Sequence, residues 1–162
     1  MNIRRLTPDD LPRLREFWIV NWGAEFVVAH GVVYRPEMLE GFIAEEGDEW
    51  TGEITYTFAD GDCEIVSLDS LHEGQGVGTN LINTVADEAL KQNCKRIWII
   101  TTNDNLRALG FYQHLGFRLV KINRDAVNES RKIKPSIPLI GMNNIPLRDE
   151  IELELVFRHI GS

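Results

Sequence analysis

Little in this chain suits a metal, a membrane or a polyanion. Its 162 residues hold two cysteines, Cys63 and Cys94. They form neither a zinc-ligand spacing nor a disulfide framework, and no metal is expected. Both flank apolar runs and read as buried free thiols. No apolar run is long enough to cross a bilayer, and the N-terminus lacks a secretory pattern, so the expected compartment is the cytosol. There the Asn128-Glu129-Ser130 sequon has no meaning. Positive charge is scarce, with 17 Lys and Arg against 25 Asp and Glu and a formal net charge of −8. That balance argues against a general binder of nucleic acid or of a membrane surface, while leaving room for a local basic pocket. Internal repeats, low-complexity tracts and linkers are also missing, so residues 1–162 read as a single domain with a sizeable core.

What is present centres on Cys63 to Gly78, CEIVSLDSLHEGQGVG. Cys63 to Leu71 predicts a strand. His72-Glu73-Gly74-Gln75-Gly76-Val77-Gly78 follows, with glycines at alternate positions. Val77, Leu81, Ile82, Val85, Ala86, Ala89 and Leu90 then form one helical stripe, which predicts a helix from Val77 to Gln92. The first turn of a helix has N–H groups without intrahelical partners, and its dipole adds partial positive charge. Glycines let an anion approach, so this helix start suits a phosphate or pyrophosphate. It is not a P-loop, because no lysine precedes Thr79. Nor is it a dinucleotide fingerprint, because the glycines read G-x-G-x-G. A glycine-rich turn that binds nothing is the plainer alternative.

Taken in order, Asn2 to Leu6 is a strand candidate, and Thr7-Pro8-Asp9-Asp10 opens a helix carrying Leu11, Leu14, Phe17 and Trp18. Asn21-Trp22-Gly23 ends it, and residues 24–35 read as an irregular, apolar loop. Pro36 to Leu39 suggests one helical turn. Phe42 to Ala44, Gly52 to Ala59 and Asp62 to Leu71 follow as strands, the last two joined at an Asp60-Gly61 hairpin. Arg96 to Thr101 is a continuous apolar run, expected to pair in parallel with the preceding strand through a right-handed crossover. A helix over Leu106 to Leu115 and a strand over Phe117 to Ile122 come next. In Glu150 to Phe157, apolar Ile151, Leu153, Leu155 and Phe157 alternate with glutamates, the clearest strand in the chain. The intervening 123–149 segment is too long for a hairpin. It holds a short helix candidate, Ala126 to Lys132, several prolines, and the cations Arg131, Lys132 and Lys134. It reads as a lid over a pocket in preference to a dimer contact; for the cations a solvated face is the plainer alternative.

Gly74-Gln75-Gly76-Val77-Gly78, with Leu81, resembles the pyrophosphate loop of the GNAT superfamily of N-acetyltransferases, whose pattern is Arg/Gln-x-x-Gly-x-Gly/Ala. Asn105-Leu106-Arg107-Ala108-Leu109-Gly110-Phe111-Tyr112, with Leu115-Gly116-Phe117, resembles the second segment of that family. The resemblance covers residues 1–122 in element order. It departs at Glu73, where the family has Arg or Gln, which leaves phosphate binding to backbone amides. The implied fold is α/β (α+β): a mixed, mostly antiparallel sheet of about seven strands, helices on both faces, and a parallel βαβ core.

The resemblance further implies acetyl-coenzyme A as co-substrate and a primary amine of a small molecule or protein as acceptor. The amides of Gly74, Gln75, Gly76, Val77, Gly78 and Thr79 would hold the pyrophosphate, and the strand end from Leu68 to Leu71 would pair with the pantetheine amides. Asn105 matches a coenzyme-contacting position, though it also suits a helix cap. Tyr112 matches the tyrosine that donates a proton to the departing thiolate; a core aromatic is the plainer reading of it. A phenol is protonated at neutral pH and can act as an acid. For a base, Asp69 is the first candidate; Glu64, Glu25, His30 and Tyr34 are others, as is a water relay. Strand alternation puts Asp69 with Ile65 and Ser67 on one face and Glu64 on the other. The net charge slightly favours a cationic acceptor. Transfer of a different acyl group, or a non-catalytic coenzyme A-binding regulatory module, are the alternatives. The family makes a homodimer an open option.

Overall fold

The computed structural model describes residues 1–71 and 74–157; Glu73, the departure noted above, lies outside them. Seven strands form one sheet: β1 (Asn2–Arg5), β4 (Glu40–Glu46), β5 (Glu49–Ala59), β6 (Asp62–Ser70), β7 (Arg96–Thr102), β9 (Glu150–Val156) and β8 (Arg118–Asn123), in that spatial order. All neighbours are antiparallel except β6 and β7. Between that pair runs α2 (Val77–Lys91), the crossover expected from its stripe. The others are α1 (Leu11–Trp22), α3 (Leu106–His114) and α4 (Ala126–Ile133).

The helices α2 and α1 cover opposite faces of the sheet, each with its apolar stripe. Leu81, Ile82, Val85 and Ala89 of α2 pack with Ile54, Tyr56, Cys63, Ile65, Ile97 and Leu153, and Tyr112 and Phe117 complete this core. On the opposite face Leu14 and Trp18 of α1 pack on Ile43 and Trp50. At the start of α1, Asp10 accepts the Thr7 N–H at 2.8 Å and pairs with Arg4, also at 2.8 Å. That pair holds the Asp10 carboxyl at about 2. Gly23, with φ 77°, ends the helix in a left-handed cap. Cys63 and Cys94 are both buried and free.

Gly52 decides how closely α2 sits on the sheet. A Cβ there would lie 2.7 Å from the Asp69 carbonyl oxygen and 2.8 Å from Val77 Cγ1. We expect Gly52→Ala to cost about 1–3 kcal/mol through overpacking. It would also lower affinity for the expected coenzyme, because Val77 belongs to the first turn of α2 and Asp69 to the end of β6. Chemical denaturation checks the first effect and calorimetric titration the second.

Two expectations need correction. Residues 24–35 are not irregular throughout: β2 (Val27–Ala29) and β3 (Val32–Tyr34) form a separate hairpin that turns at His30 and Gly31. Side-chain alternation along β6 also fails at Val66. Thr55 pairs with Ser67 while Tyr56 pairs with Ile65, so Val66 is the extra residue of a β-bulge. Glu64, Ser67 and Asp69 therefore share the α1 face, opposite Thr57, Thr55 and Glu53. Cys63, Ile65 and Leu68 face α2.

Candidate active site

The parallel pair is short. Its register runs only from Cys63–Ile97 to Ile65–Ile99, after which the two strands part. The bulge at Val66 lies where they separate. Past it one edge of β6 still pairs with β5, but the edge toward β7 does not. The Leu71 N–H is already spent on the Thr51 carbonyl at 2.9 Å. By strand alternation the backbone of Leu68 then points to the open edge.

The glycine loop lies beside this opening. Gly74 and Gly76 have φ of 77° and 76°, values that favour glycine. The first helical bond of α2 runs from Asn80 N–H to the Gly76 carbonyl at 3.0 Å, so the amides of Val77, Gly78 and Thr79 precede the ladder. They open on a cavity of about 600 Å³. Its wall contains Leu68, Asp69, Gly74, Gly76, Val77, Gly78, Thr79, Asn105 and Tyr112 from the expected set. Trp22, Ser70, Arg107, Ala108, Phe111 and Met142 complete it. Gln75 and Leu71 do not line it; both are exposed. Within the expected Leu68 to Leu71 stretch, the Leu71 N–H is turned to β5.

A second cavity, of about 280 Å³, lies between the parted strands. Trp22, Leu68, Asn105, Ala108 and Tyr112 line both cavities. The second is closed by Val27 and Val28 of the hairpin, by Ser67 and Thr101 of the sheet, and by Lys134 and Ile137 of the 123–149 segment. That segment thus lies against both cavities, since Met142 reaches the first. It is pinned to the end of β7: Asp104 accepts the Met142 N–H at 2.8 Å, and Asn103 accepts the Arg148 N–H at 3.0 Å.

Asn105 caps α3, its Oδ1 accepting the Ala108 N–H at 3.1 Å, which leaves the amide Nδ2 for another partner. Tyr112 is 5% exposed, and its hydroxyl makes no hydrogen bond among the described residues. Burial, with Asp69 and Glu53 nearby, pushes its phenol above the usual range. Asp69 has a buried oxygen, Oδ2, without a hydrogen-bond partner among the described residues, and burial pushes its carboxyl up to about 6. Its cross-strand neighbour Glu53 is fully buried and accepts from Ser67 Oγ at 2.9 Å. Burial first, then Asp69, pushes Glu53 up to about 8. The Trp18 indole N–H is near enough to favour the Glu53 anion but makes no hydrogen bond of good geometry.

The other base candidates are not brought to the cavities. Glu64 accepts from Tyr34 at 2.6 Å and lies 2.8 Å from His30 Nε2, a network at the β2–β3 hairpin in which Tyr34 and Glu64 are buried and His30 is exposed. Glu25 is exposed. Trp22, Lys134, Ile137, Met142 and Arg107 were not singled out as site residues. Arg107 had a local signal, lying inside the Asn105–Tyr112 segment, and Lys134 appeared only as one of three cations of the 123–149 segment.

The profile of the acetyltransferase (GNAT) family matches residues 7–117. The Bacillus subtilis protein YdhI is 42% identical over 139 residues, covering 85% of this chain and 87% of that one. An IAA acetyltransferase from Bacillus cereus superimposes with a TM-score of 0.75 at 19% identity, over 96% of this chain and 99% of that one. A GNAT family acetyltransferase from Elizabethkingia anophelis, with acetyl-CoA bound, superimposes with a TM-score of 0.72 at 21% identity, over 96% and 97%. No helix among the described residues is long and apolar enough to cross a membrane. The profile spans both the bulged strand β6 and the glycine-led start of α2, and the chain belongs to the GNAT family of acetyltransferases.

Proposed function

We propose that the protein transfers an acetyl group from acetyl-coenzyme A to a primary amine by direct attack. The observation that carries this reading is that the unladdered amides of α2 and the Tyr112 side chain face one cavity, and that Tyr112 also lines the second. The amides of Val77, Gly78 and Thr79 would hold the pyrophosphate, with Gly74 and Gly76 letting it approach. Arg107 adds positive charge in the same wall. The open edge of β6 near Leu68 would pair with the pantetheine amides, and a backbone N–H there would polarise the thioester carbonyl. Asn105 Nδ2 would contact the same chain.

The amine nitrogen attacks the thioester carbon; a C–N bond forms and the C–S bond breaks. The ammonium proton leaves to a base, and the thiolate takes the phenolic proton of Tyr112. Asp69 is the proposed base. With its carboxyl at about 6 it is ionised near neutral pH, and its buried oxygen has no competing hydrogen-bond partner among the described residues. We expect kcat/KM to rise through about pH 6 and to level above it, because only the deprotonated form accepts a proton. Asp69→Asn would remove that acid limb and slow turnover by about 10²-fold. A limb that survives in the variant would take Asp69 out of the mechanism.

The reading is tested by calorimetric titration with acetyl-coenzyme A and coenzyme A, beside thiol release with a panel of amines. Binding with thiol release is expected. Binding without release from any amine would point to a regulatory module that holds coenzyme A.

A further inference from the structure

We infer that the acceptor is an amine bearing a carboxylate on an apolar body, an amino acid-like molecule whose carboxylate pairs with Lys134. The inference rests on the acetyl-transfer reading and names the substrate class of its second cavity.

Among the described residues the cavity wall holds one charged side chain, and it is a cation. Lys134 lines it, and no described aspartate or glutamate does. Of the three ammonium donors, one is spent, on the Trp22 carbonyl at 3.2 Å. Its other partner among the described residues is the face of Phe26, with Nζ 5.6 Å from the ring centroid. Lys134 makes no ion pair among the described residues, unlike its neighbour Lys132, which pairs with Glu129 at 3.0 Å. A half-buried ammonium without a counter-ion is costly, and burial lowers the Lys134 pKa accordingly. An anion arriving with the substrate would relieve that cost.

The position of Lys134 is built in advance. Its neighbour Arg131 donates to the carbonyls of Ile137, at 3.2 Å, and Pro138, at 2.7 Å, and also to that of Leu147. These bonds clamp the turn after α4 that delivers both Lys134 and Ile137 to the wall. Val27, Val28, Trp22 and Ile137 supply the apolar surface. About 280 Å³ fits a small molecule, at the low end of ligand pockets. A polyamine or other dication would meet a positive wall with no described carboxylate to receive its second charge. The whole-chain charge of −8, which by itself slightly favours a cationic acceptor, is therefore opposed by the local charge of the cavity.

The test measures thiol release with L-leucine, L-methionine and L-phenylalanine against their carboxamides and decarboxylated amines, with spermidine as the dication. The expected kcat/KM for at least one amino carboxylate exceeds that of its decarboxylated partner by roughly 30-fold or more. In Lys134→Met the ratio collapses toward one, mainly through KM, while acetyl-coenzyme A binding persists as the check on folding. In Lys134→Glu the preference reverses toward amines without a carboxylate. Turnover that ignores the carboxylate, a preference for spermidine, or an unchanged ratio in both variants would overturn the inference while leaving acetyl transfer intact. Failure of the acetyl-transfer reading shows differently, as no release from any amine. The inference is then decided by titrating the amino acids into coenzyme A-loaded protein: binding lost in Lys134→Met supports it, and no binding overturns it.

Discussion

Replacing Tyr112 by Phe is expected to lower kcat by about 10²–10⁴-fold, the usual contribution of a positioned general acid. The KM for acetyl-coenzyme A should change little. The ring would stay in place, because it packs edge-on against Phe111, with centroids 5.4 Å apart, and tilted against Phe117 at 5.5 Å. Only the hydroxyl is removed, and it makes no hydrogen bond among the described residues. The fold should therefore be unaffected, which a thermal melt would check. The loss should depend on the leaving group. A thiolate that leaves more readily needs less help from an acid, so an acetyl thioester of an acidic thiol should recover part of the rate in Tyr112→Phe. Unchanged turnover across pH in the variant would return Tyr112 to the role of a core aromatic.

The elements of this fold could be read wherever a pattern was long enough to express a period. The stripe from Val77 to Leu90 and the alternation from Ile151 to Phe157 each span several repeats, and α2 and β9 are where those patterns put them. The parallel pair followed from strand, helix and strand in succession. The β2–β3 hairpin did not follow, because three-residue strands are too short to show alternation. The bulge at Val66 is harder still. It inserts no glycine and breaks no apolar run, yet it moves Ser67 and Asp69 to the face of Glu64.

The coenzyme cavity was largely legible because its residues belong to two local motifs. The second cavity was not. Trp22, Val27, Ser67, Thr101, Lys134 and Ile137 come from separate segments that only the tertiary fold assembles. The three cations of the 123–149 segment looked alike in sequence, but the structure separates them. Arg131 is spent on carbonyls, Lys132 pairs with Glu129, and Lys134 lines the cavity.

The paired carboxyls Glu53 and Asp69 should make stability fall as pH rises from about 6 to 8.5. The Glu53 carboxyl is pushed from 4.5 up to about 8, and that of Asp69 from 3.8 up to about 6. Between those values the folded protein holds protons that the unfolded chain has released. The slope of unfolding free energy with pH is then negative, and the contribution is lost as pH climbs through the folded value. Asp10 acts in the opposite sense, but its window lies between 3.8 and about 2, well below this range. The Cys63 thiol, pushed up to about 12, adds a loss of the same sign only where an unfolded thiol ionises, so the comparison stops at pH 8.5. In the native protein Tm should drop by roughly 5–10 °C over this range. Glu53→Gln removes the larger shift while keeping an acceptor for Ser67 Oγ. Its Tm should match the native value near pH 6, exceed it at pH 8.5, and fall less than half as steeply. Equal slopes in the two proteins would mean that Glu53 does not hold its proton when folded, and that the cost of burying it is met as an anion.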